Sequence, residues 1–244
     1  MYPEPDVLVA RLARWCQGGG CSEGVGPPAS EPPSFSVAWP PTEEYLERLA
    51  ERLGLHRHDL FLVAGVALPE EAWFFDDGAG GVLSQLVQRA LSPSEADRRR
   101  LRDDARSMPV LWQALARRKP QPYEEYPPGF GGLLVEMFAL RNLDWASGAE
   151  VMYSMSGVYR AASTIGRVGR GERQPDADLL DGFAAVLGVP VGVLVSLTGV
   201  HHPDPQRPIP AKVVDTAALL WDVRHLTVGQ VRQLSEPADA LGRK

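Results

Sequence analysis

Apolar positions recur along this chain at helical rather than strand spacing, and one stretch of that pattern occurs twice. Residues 46–69, LERLAERLGLHRHDLFLVAGVALP, align without a gap on residues 180–203, LDGFAAVLGVPVGVLVSLTGVHHP, at a constant offset of 134. Leu46/Leu180, Ala50/Ala184, Leu53/Leu187, Gly54/Gly188, Leu60/Leu194, Gly65/Gly199, Val66/Val200 and Pro69/Pro203 are identical, and Leu49/Phe183 and Leu55/Val189 keep their apolar character. Identity at one register, both glycines included, marks an internal repeat. Each copy predicts two short helices. Leu46, Leu49, Ala50 and Leu53 share one helical face, and Gly54 supplies the left-handed residue that ends a helix. Leu60 and Val63 then face inward in a second helix, which Gly65 stops. The second copy repeats this with Leu180, Phe183, Ala184 and Leu187, then Gly188, then residues 193–197, then Gly199.

The rest of the chain also reads as helix and break. Ser92-Pro93-Ser94-Glu95 combines an N-cap, a proline at the first helical position and a capping-box glutamate, opening a helix to about Ser107. Its Arg98, Arg99, Arg100, Arg102 and Arg106 alternate with Asp97, Asp103 and Asp104, the pattern of a solvated, salt-bridged face. Pro109 is expected to start another helix, VLWQALARRK. Residues 119–132, KPQPYEEYPPGFGG, hold too much proline and glycine for regular structure and make the best domain boundary. After a second break at 202–210, residues 211–234 return to helical spacing with Val214, Ala217, Ala218 and Trp221 as a stripe. These signals predict an all-α protein packed from helical bundles. The expected units are 1–76, 77–119 as a helical connector, 120–132 as a linker, 133–203, and 211–244 as a C-terminal helical tail.

Composition narrows the function. The net charge of −6 gives no general affinity for nucleic acid or anionic membrane, so any such binding has to come from a local patch. Cys16 and Cys21, around a Gly-Gly-Gly turn, read as free thiols, since a secreted scaffold needs more cysteines and a zinc site needs partners nearby. Without a charged-then-apolar leader or an apolar run of spanning length, the chain is expected to be soluble and cytoplasmic, away from membranes. No HExxH, Walker loop, nucleophile elbow or CxxC is present, so neither an enzyme nor a metal or other cofactor is expected. Three lesser features read as structural. His56 and His58 fall in the turn aligned with Pro190 and Gly192 as cap or surface residues. His201-His202 has no carboxylate placed by spacing. Trp73, Phe74 and Phe75 could line a ligand pocket but fit packing between the halves better.

Upstream of the second copy, Leu133, Leu134, Met137, Phe138 and Arg141 mark a helix, Asp144-Trp145 opens another carrying Val151 and Met152, and Ser156-Gly157-Val158 makes a turn. The stretch ASTIGRVGRGERQP, residues 162–175, follows. Its glycine spacing is not the dinucleotide fingerprint, which must also follow a strand. From Gly157 to Pro175 it contributes four arginines and one glutamate, a local charge of +3 in an acidic chain. Helix, helix, turn, helix and the two helices of the repeat compose a five-helix unit.

The residues STIGRVGRGERQPDADLLDGFAAVLGVPVGVL resemble the helix-turn-helix repressors of the xenobiotic-response-element or phage-repressor, lambda-repressor-like type. An Ile flanked by Ser and Thr stands six residues before a Gly, a Pro follows four later, and a leucine-rich helix ends in LGV. The likeness covers residues 132–200 and, as a partial copy, 43–69. This sequence departs from the pattern in three places: two extra residues between Gly157 and Ile165, Gly169 where a glutamate is common, and Gly148 inside the second helix. The resemblance implies a DNA-binding transcriptional regulator or repressor that meets a two-fold operator in double-stranded DNA as a homodimer, with an effector left unspecified. A helix entering the major groove needs short hydrogen-bonding residues and an arginine near its start. Tyr159, Arg160, Ser163, Thr164 and Arg167 are the candidates for base contacts, and Ile165 and Val168 would face the core. Trp145, Arg170, Arg173 and Gln174 are the candidates for phosphate contacts. In the first copy the same positions, residues 23–40, hold five prolines, two acids and no arginine. That copy is therefore expected to keep the packing half of the unit and to have lost its DNA-reading half. The alternative is a protein-interaction module on the same scaffold, an anti-repressor or regulator partner that does not bind DNA.

Overall fold

A computed structural model describes residues 4–15, 41–119 and 124–241; Cys16, Cys21 and the proline-rich segment 23–40 of the first copy lie outside the described residues. The fold is all-α. In chain order the helices are α1 (Pro5–Trp15), α2 (Glu43–Leu53), α3 (Arg57–Val63), α4 (Gly80–Ala90), α5 (Glu95–Ser107), α6 (Phe130–Ala139), α7 (Trp145–Ser156), α8 (Ala162–Gly169), α9 (Ala177–Leu187), α10 (Val191–Thr198), α11 (Ala211–Val223) and α12 (Val228–Leu241). Two short strands, β1 (Phe74–Phe75) and β2 (Ala116–Arg117), pair antiparallel with Phe74 opposite Arg117.

The repeat is visible in the backbone. Helices α2 and α9 occupy equivalent residues, as do α3 and α10 to within one residue at the end. Both first helices open on a side-chain cap: Thr42 accepts from the Tyr45 N–H and Asp176 from the Leu179 N–H, equivalent pairs. Both close on a left-handed glycine, Gly54 at φ 70° and Gly188 at φ 74°. The second glycine pair is left-handed too, Gly65 at φ 65° and Gly199 at φ 73°, as the repeat's two stop signals require. Leu46, Leu53, Leu60 and Val63 in the first copy, and Leu180, Phe183, Leu194 and Leu197 in the second, are buried as the periodicity predicts.

The two halves embrace. Helix α1 packs on α10 of the second copy, where Arg11 reaches the Leu197 carbonyl, and α6 packs on α3 of the first. Behind them α4, α5, α11 and α12 pack on one another, with α4 against α7 and α11 against α9. The segments expected as connector and tail thus form one four-helix layer that backs the five-helix unit α6–α10.

Several local expectations are corrected. Helix α5 begins at Glu95 and its cap is Ser94, whose hydroxyl accepts from the Asp97 N–H; Pro93 sits outside it. Its arginine face is not simply solvated: Arg98 is buried on Asp215, and Arg102 and Arg106 meet Asp222, so these charges tie α5 to α11. Residues 109–119 form no α-helix. A single tight turn over Trp112–Ala114 leads into β2, because pairing with Phe74–Phe75 and the Arg118 N–H to Trp73 carbonyl bond satisfy this backbone instead. Helix α6 starts at Phe130, inside the expected linker, and takes in Gly131 and Gly132, with Gly129 as its N-cap. In α11, Val213, Thr216, Ala217, Leu219, Leu220, Trp221 and Val223 are buried; Ala217 and Trp221 of the expected stripe lie inward, whereas Ala218 is half-buried and Val214 is 40% exposed. The helical run 211–234 is broken between Val223 and Val228. His58 is buried rather than at the surface. His202 does have a carboxylate, the Asp181 side chain of α9 at 3.3 Å, which spacing could not place.

At the contact of α3 with α6 lies a fully buried ion pair. Asp59 Oδ1 and Oδ2 accept from Arg141 Nη1 and Nη2 at 2.8 and 2.7 Å, and Nη1 also donates to the Met137 carbonyl. The two side chains are 0% and 2% exposed. Trp221 of α11 covers the guanidinium at 5.1 Å from its ring, while His56 stacks on the same indole at 3.4 Å and Arg224 lies 3.8 Å from it.

Two predictions follow from this packing. Asp59→Ala leaves Arg141 charged and unpaired in the core, and urea unfolding should show a loss of about 3–5 kcal/mol. Replacing the pair together by Asp59→Leu with Arg141→Met should recover most of it; an equally unstable double variant would contradict this account. The second concerns acid. Burial, reinforced by the nearby Arg224 charge, pushes His56 down to about 2 and His58 and His225 down to about 4. A base depressed in the folded state binds its proton first in the unfolded chain. Its contribution is therefore full above the ordinary value of 6.5 and falls as pH drops towards 4. Each of His58 and His225 should remove on the order of 1–2 kcal/mol between pH 7.5 and 5. Urea midpoints that do not move over that range would rule this out.

Candidate nucleic-acid interface

Helix α7 opens on a capping box in which Asp144 accepts from the Ser147 N–H and the Ser147 hydroxyl accepts from the Asp144 N–H. It closes on left-handed Gly157 at φ 76°, and residues 157–161 carry the chain to α8. Helix α8 is amphipathic over its whole length. Ile165 and Val168 are fully buried, as the sequence predicts, and Ser163 and Arg167 lie on the opposite, exposed face.

Three glycines explain how closely α8 is seated. A Cβ on Gly131 of α6 would stand 1.8 Å from the Val168 carbonyl oxygen, so only glycine lets α6 pass under the end of α8. A Cβ on Gly166 would meet the Trp145 ring at 2.5 Å, and one on Gly169 the Tyr126 ring at 2.7 Å. The unusual Gly169 is thereby accounted for: an aromatic ring occupies the volume a glutamate would fill. Gly148, the other departure, gives way to the Phe138 ring, 2.8 Å from where its Cβ would be.

The candidate residues take different positions. Tyr159 projects from the turn, 74% exposed, edge-on to Tyr153 with centroids 6.0 Å apart. Ser163 and Arg167 are exposed and Thr164 is half-buried. Arg160 is held back: it donates to the Tyr159 carbonyl and to Asp178 at 3.0 Å, with Asp176 at 3.4 Å. Trp145 is half-buried beneath α8, its indole N–H donated to the Tyr126 hydroxyl at 2.8 Å, so a phosphate would have to displace that bond. Arg170 lies over the Trp145 ring at 5.2 Å. Arg173 and Gln174 line one cleft with Gly131 and Gly132 of α6. Ser163, Arg167 and Arg170 therefore form one outward strip on α8 and its end, with Tyr159 at one border and Arg173 and Gln174 beyond the other.

Sequence reasoning counted Glu172 but missed Asp176 and Asp178 as counter-ions. Glu172 meets Arg170 at 2.6 Å and Arg167 at 3.7 Å, and Asp176 meets Arg173 at 2.9 Å. The hydrogen bond from Arg170 holds the Glu172 carboxyl below its usual range. At Asp176 burial pushes the carboxyl up, but the Leu179 N–H and the two arginines outweigh burial and hold it low. Counting Arg160, Arg167, Arg170 and Arg173 against Glu172, Asp176 and Asp178, the surface carries +1 rather than the +3 of the shorter stretch. Asp176 and Asp178 had a readable signal, as cap and first-turn acid of α9. Tyr126, from the proline-rich segment, had none.

No family model, curated protein or solved structure matches this chain. Among the described residues no helix is long and apolar enough to cross a membrane.

The seating of α8 has a direct test. Gly131→Ala has no route around a backbone oxygen and should cost about 1–3 kcal/mol of stability, as overpacking does. Gly81→Ala, in open space on α4, should be neutral or stabilising by up to about 1 kcal/mol. Thermal unfolding of both variants checks the contrast; a harmless Gly131→Ala would contradict the close approach.

Proposed function

We propose that the protein is a DNA-binding transcriptional regulator that reads double-stranded DNA with α8 and binds a two-fold operator as a homodimer. The observation that carries this reading is the pair α7–turn–α8. One face of α8 is locked into the unit by Ile165, Val168, Gly166 and Gly169, and the other offers Ser163 and Arg167 outward. A hydroxyl and a guanidinium one turn apart on an exposed helix suit base edges in a major groove. Arg170, Arg173 and Gln174, past the end of α8, suit phosphate contacts that set position without reading sequence. Dimerisation follows from size, since a single unit of this kind covers little DNA and symmetric half-sites double the contacts. Arg160, tied to α9, serves this reading by anchoring the turn that carries Tyr159.

A second reading has one observation in its favour. All four arginines already have carboxylate neighbours, which suits a surface that meets a protein rather than a polyanion.

Selection from genomic fragments followed by binding over a salt series separates the two. The DNA reading expects specific binding with a steep salt slope, weakened about tenfold or more by Arg167→Ala. Glu172→Gln, which frees Arg167 and Arg170, should tighten binding. Well-folded protein that binds no DNA at low salt would remove the first reading and leave the second.

A further inference from the structure

A cavity of about 270 Å³ lies between the β1–β2 ladder and α6. Trp73 and Tyr126 provide aromatic walls, Glu136 and Ala139 come from α6, and Arg117, Arg118 and Glu124 complete the lining. Its charges are not equivalent. Arg118 is bound to Glu124 at 2.9 Å and Arg117 to Glu70 at 3.6 Å. Glu136 is half-buried and has no hydrogen-bond or ion-pair partner among the described residues. Loss of water pushes its carboxyl above the usual range. An unpaired carboxylate in a partly dehydrated site gains most from a cation. Indole and phenol rings in the same lining attract the same kind of ligand.

We propose that this cavity binds a small organic cation, a protonated or quaternary amine, with its charge on the Glu136 carboxylate and its body between Trp73 and Tyr126. Such a ligand also reaches α8. The Tyr126 hydroxyl accepts from Trp145, and its side chain fills the space beside Gly132 and Gly169, 2.9 and 2.7 Å from where their Cβ atoms would lie. Trp145 in turn lies against Gly166 and beneath Arg170. Tyr126 is thus both a wall of the cavity and part of the seat of α8, so occupancy that moves its ring shifts the outward strip. This consequence rests on the DNA reading of α8; the binding itself does not.

The test titrates the full chain, without DNA, with benzyltrimethylammonium chloride, using calorimetry and tryptophan fluorescence. Benzyl alcohol and benzoate serve as neutral and anionic counterparts. Saturable ammonium binding is expected, about tenfold or more tighter than the alcohol, with benzoate excluded. Glu136→Gln should weaken it about tenfold or more while the thermal midpoint stays at or above that of the parent, because an unpaired half-buried carboxylate has been removed. Absence of saturable binding, equal affinity for the alcohol, or undiminished affinity in folded Glu136→Gln overturns the site. Where the parent binds both DNA and the ammonium, the ammonium should change DNA affinity, and Tyr126→Leu should abolish that change. An ammonium that binds without altering DNA affinity overturns the link to α8. Because the first titration contains no DNA, a protein that fails to bind DNA is distinguished from one whose cavity is empty of function.

Discussion

The Asp59–Arg141 pair constrains the whole arrangement because neither charge tolerates burial without the other. A dehydrated carboxylate or guanidinium alone is costly by several kcal/mol, so α3 and the end of α6 have to meet with both forks aligned. That alignment sets where α6 lies on the first copy of the repeat. The position of α6 then propagates: its first turn carries Gly131, which the end of α8 touches through the Val168 carbonyl. The same guanidinium offers its face to Trp221, and Trp221 holds His56 and Arg224, so the four-helix layer attaches at the same point. A buried ion pair is a weak net source of stability, and its main effect here is to select one packing among many apolar ones.

This pair also shows how the two copies diverged in physical terms. Under the repeat register Asp59 corresponds to Val193, which is equally buried, and His56 corresponds to Pro190. The cap of each first helix, both glycine stops and most of the leucines are kept in both. Both copies bury polar residues, but different ones: His58 and Asp59 in the first, Thr198 and His202 in the second. A symmetric scaffold has thereby become asymmetric, with the first copy committed to internal contacts and the second joined to a short, outward-facing α8. Through α1 on α10 and α6 on α3, both copies belong to one hydrophobic core.

Legibility followed the range of the interaction. Helices α2, α3, α9 and α10, their glycine stops and the buried faces of α7 and α8 were readable, because caps and periodicity act within one or two turns. What failed was long-range. Residues 109–119 have helical composition, yet their backbone pairs with Phe74–Phe75, some forty residues away in sequence, and nothing local announces it. Ser92 and Ser94 are both acceptable caps, and the choice of Ser94 places Arg98 against Asp215, a partner on α11. In the candidate interface the inward Ile165 and Val168 and the outward Ser163 and Arg167 were legible from spacing, but Arg160, tied to Asp178, and the half-buried Thr164 were not separable from them. The counter-ions were half legible, since Asp176 and Asp178 stand in the sequence as helix-start acids whose second role toward Arg160 and Arg173 needs the fold. Tyr126 was illegible: a tyrosine between prolines reads as linker, and only the glycines it faces record its place.

Electrostatics decides how such a surface would work in a chain of net charge −6. With each arginine beside a carboxylate, the strip starts near neutrality, and a polyanion must compete with Glu172, Asp176 and Asp178 for the same guanidinium groups. Exposed pairs of this kind hold weakly, since water and salt screen them, so the competition is not prohibitive. Its effect is on discrimination. Non-specific attraction to phosphate, which depends on net local charge, is reduced throughout. A base edge that takes Arg167 bidentately still gains its full directional bond, because Glu172 approaches that guanidinium only at 3.7 Å. On the DNA reading, acidity around α8 therefore suppresses indiscriminate binding more than it suppresses a matched site.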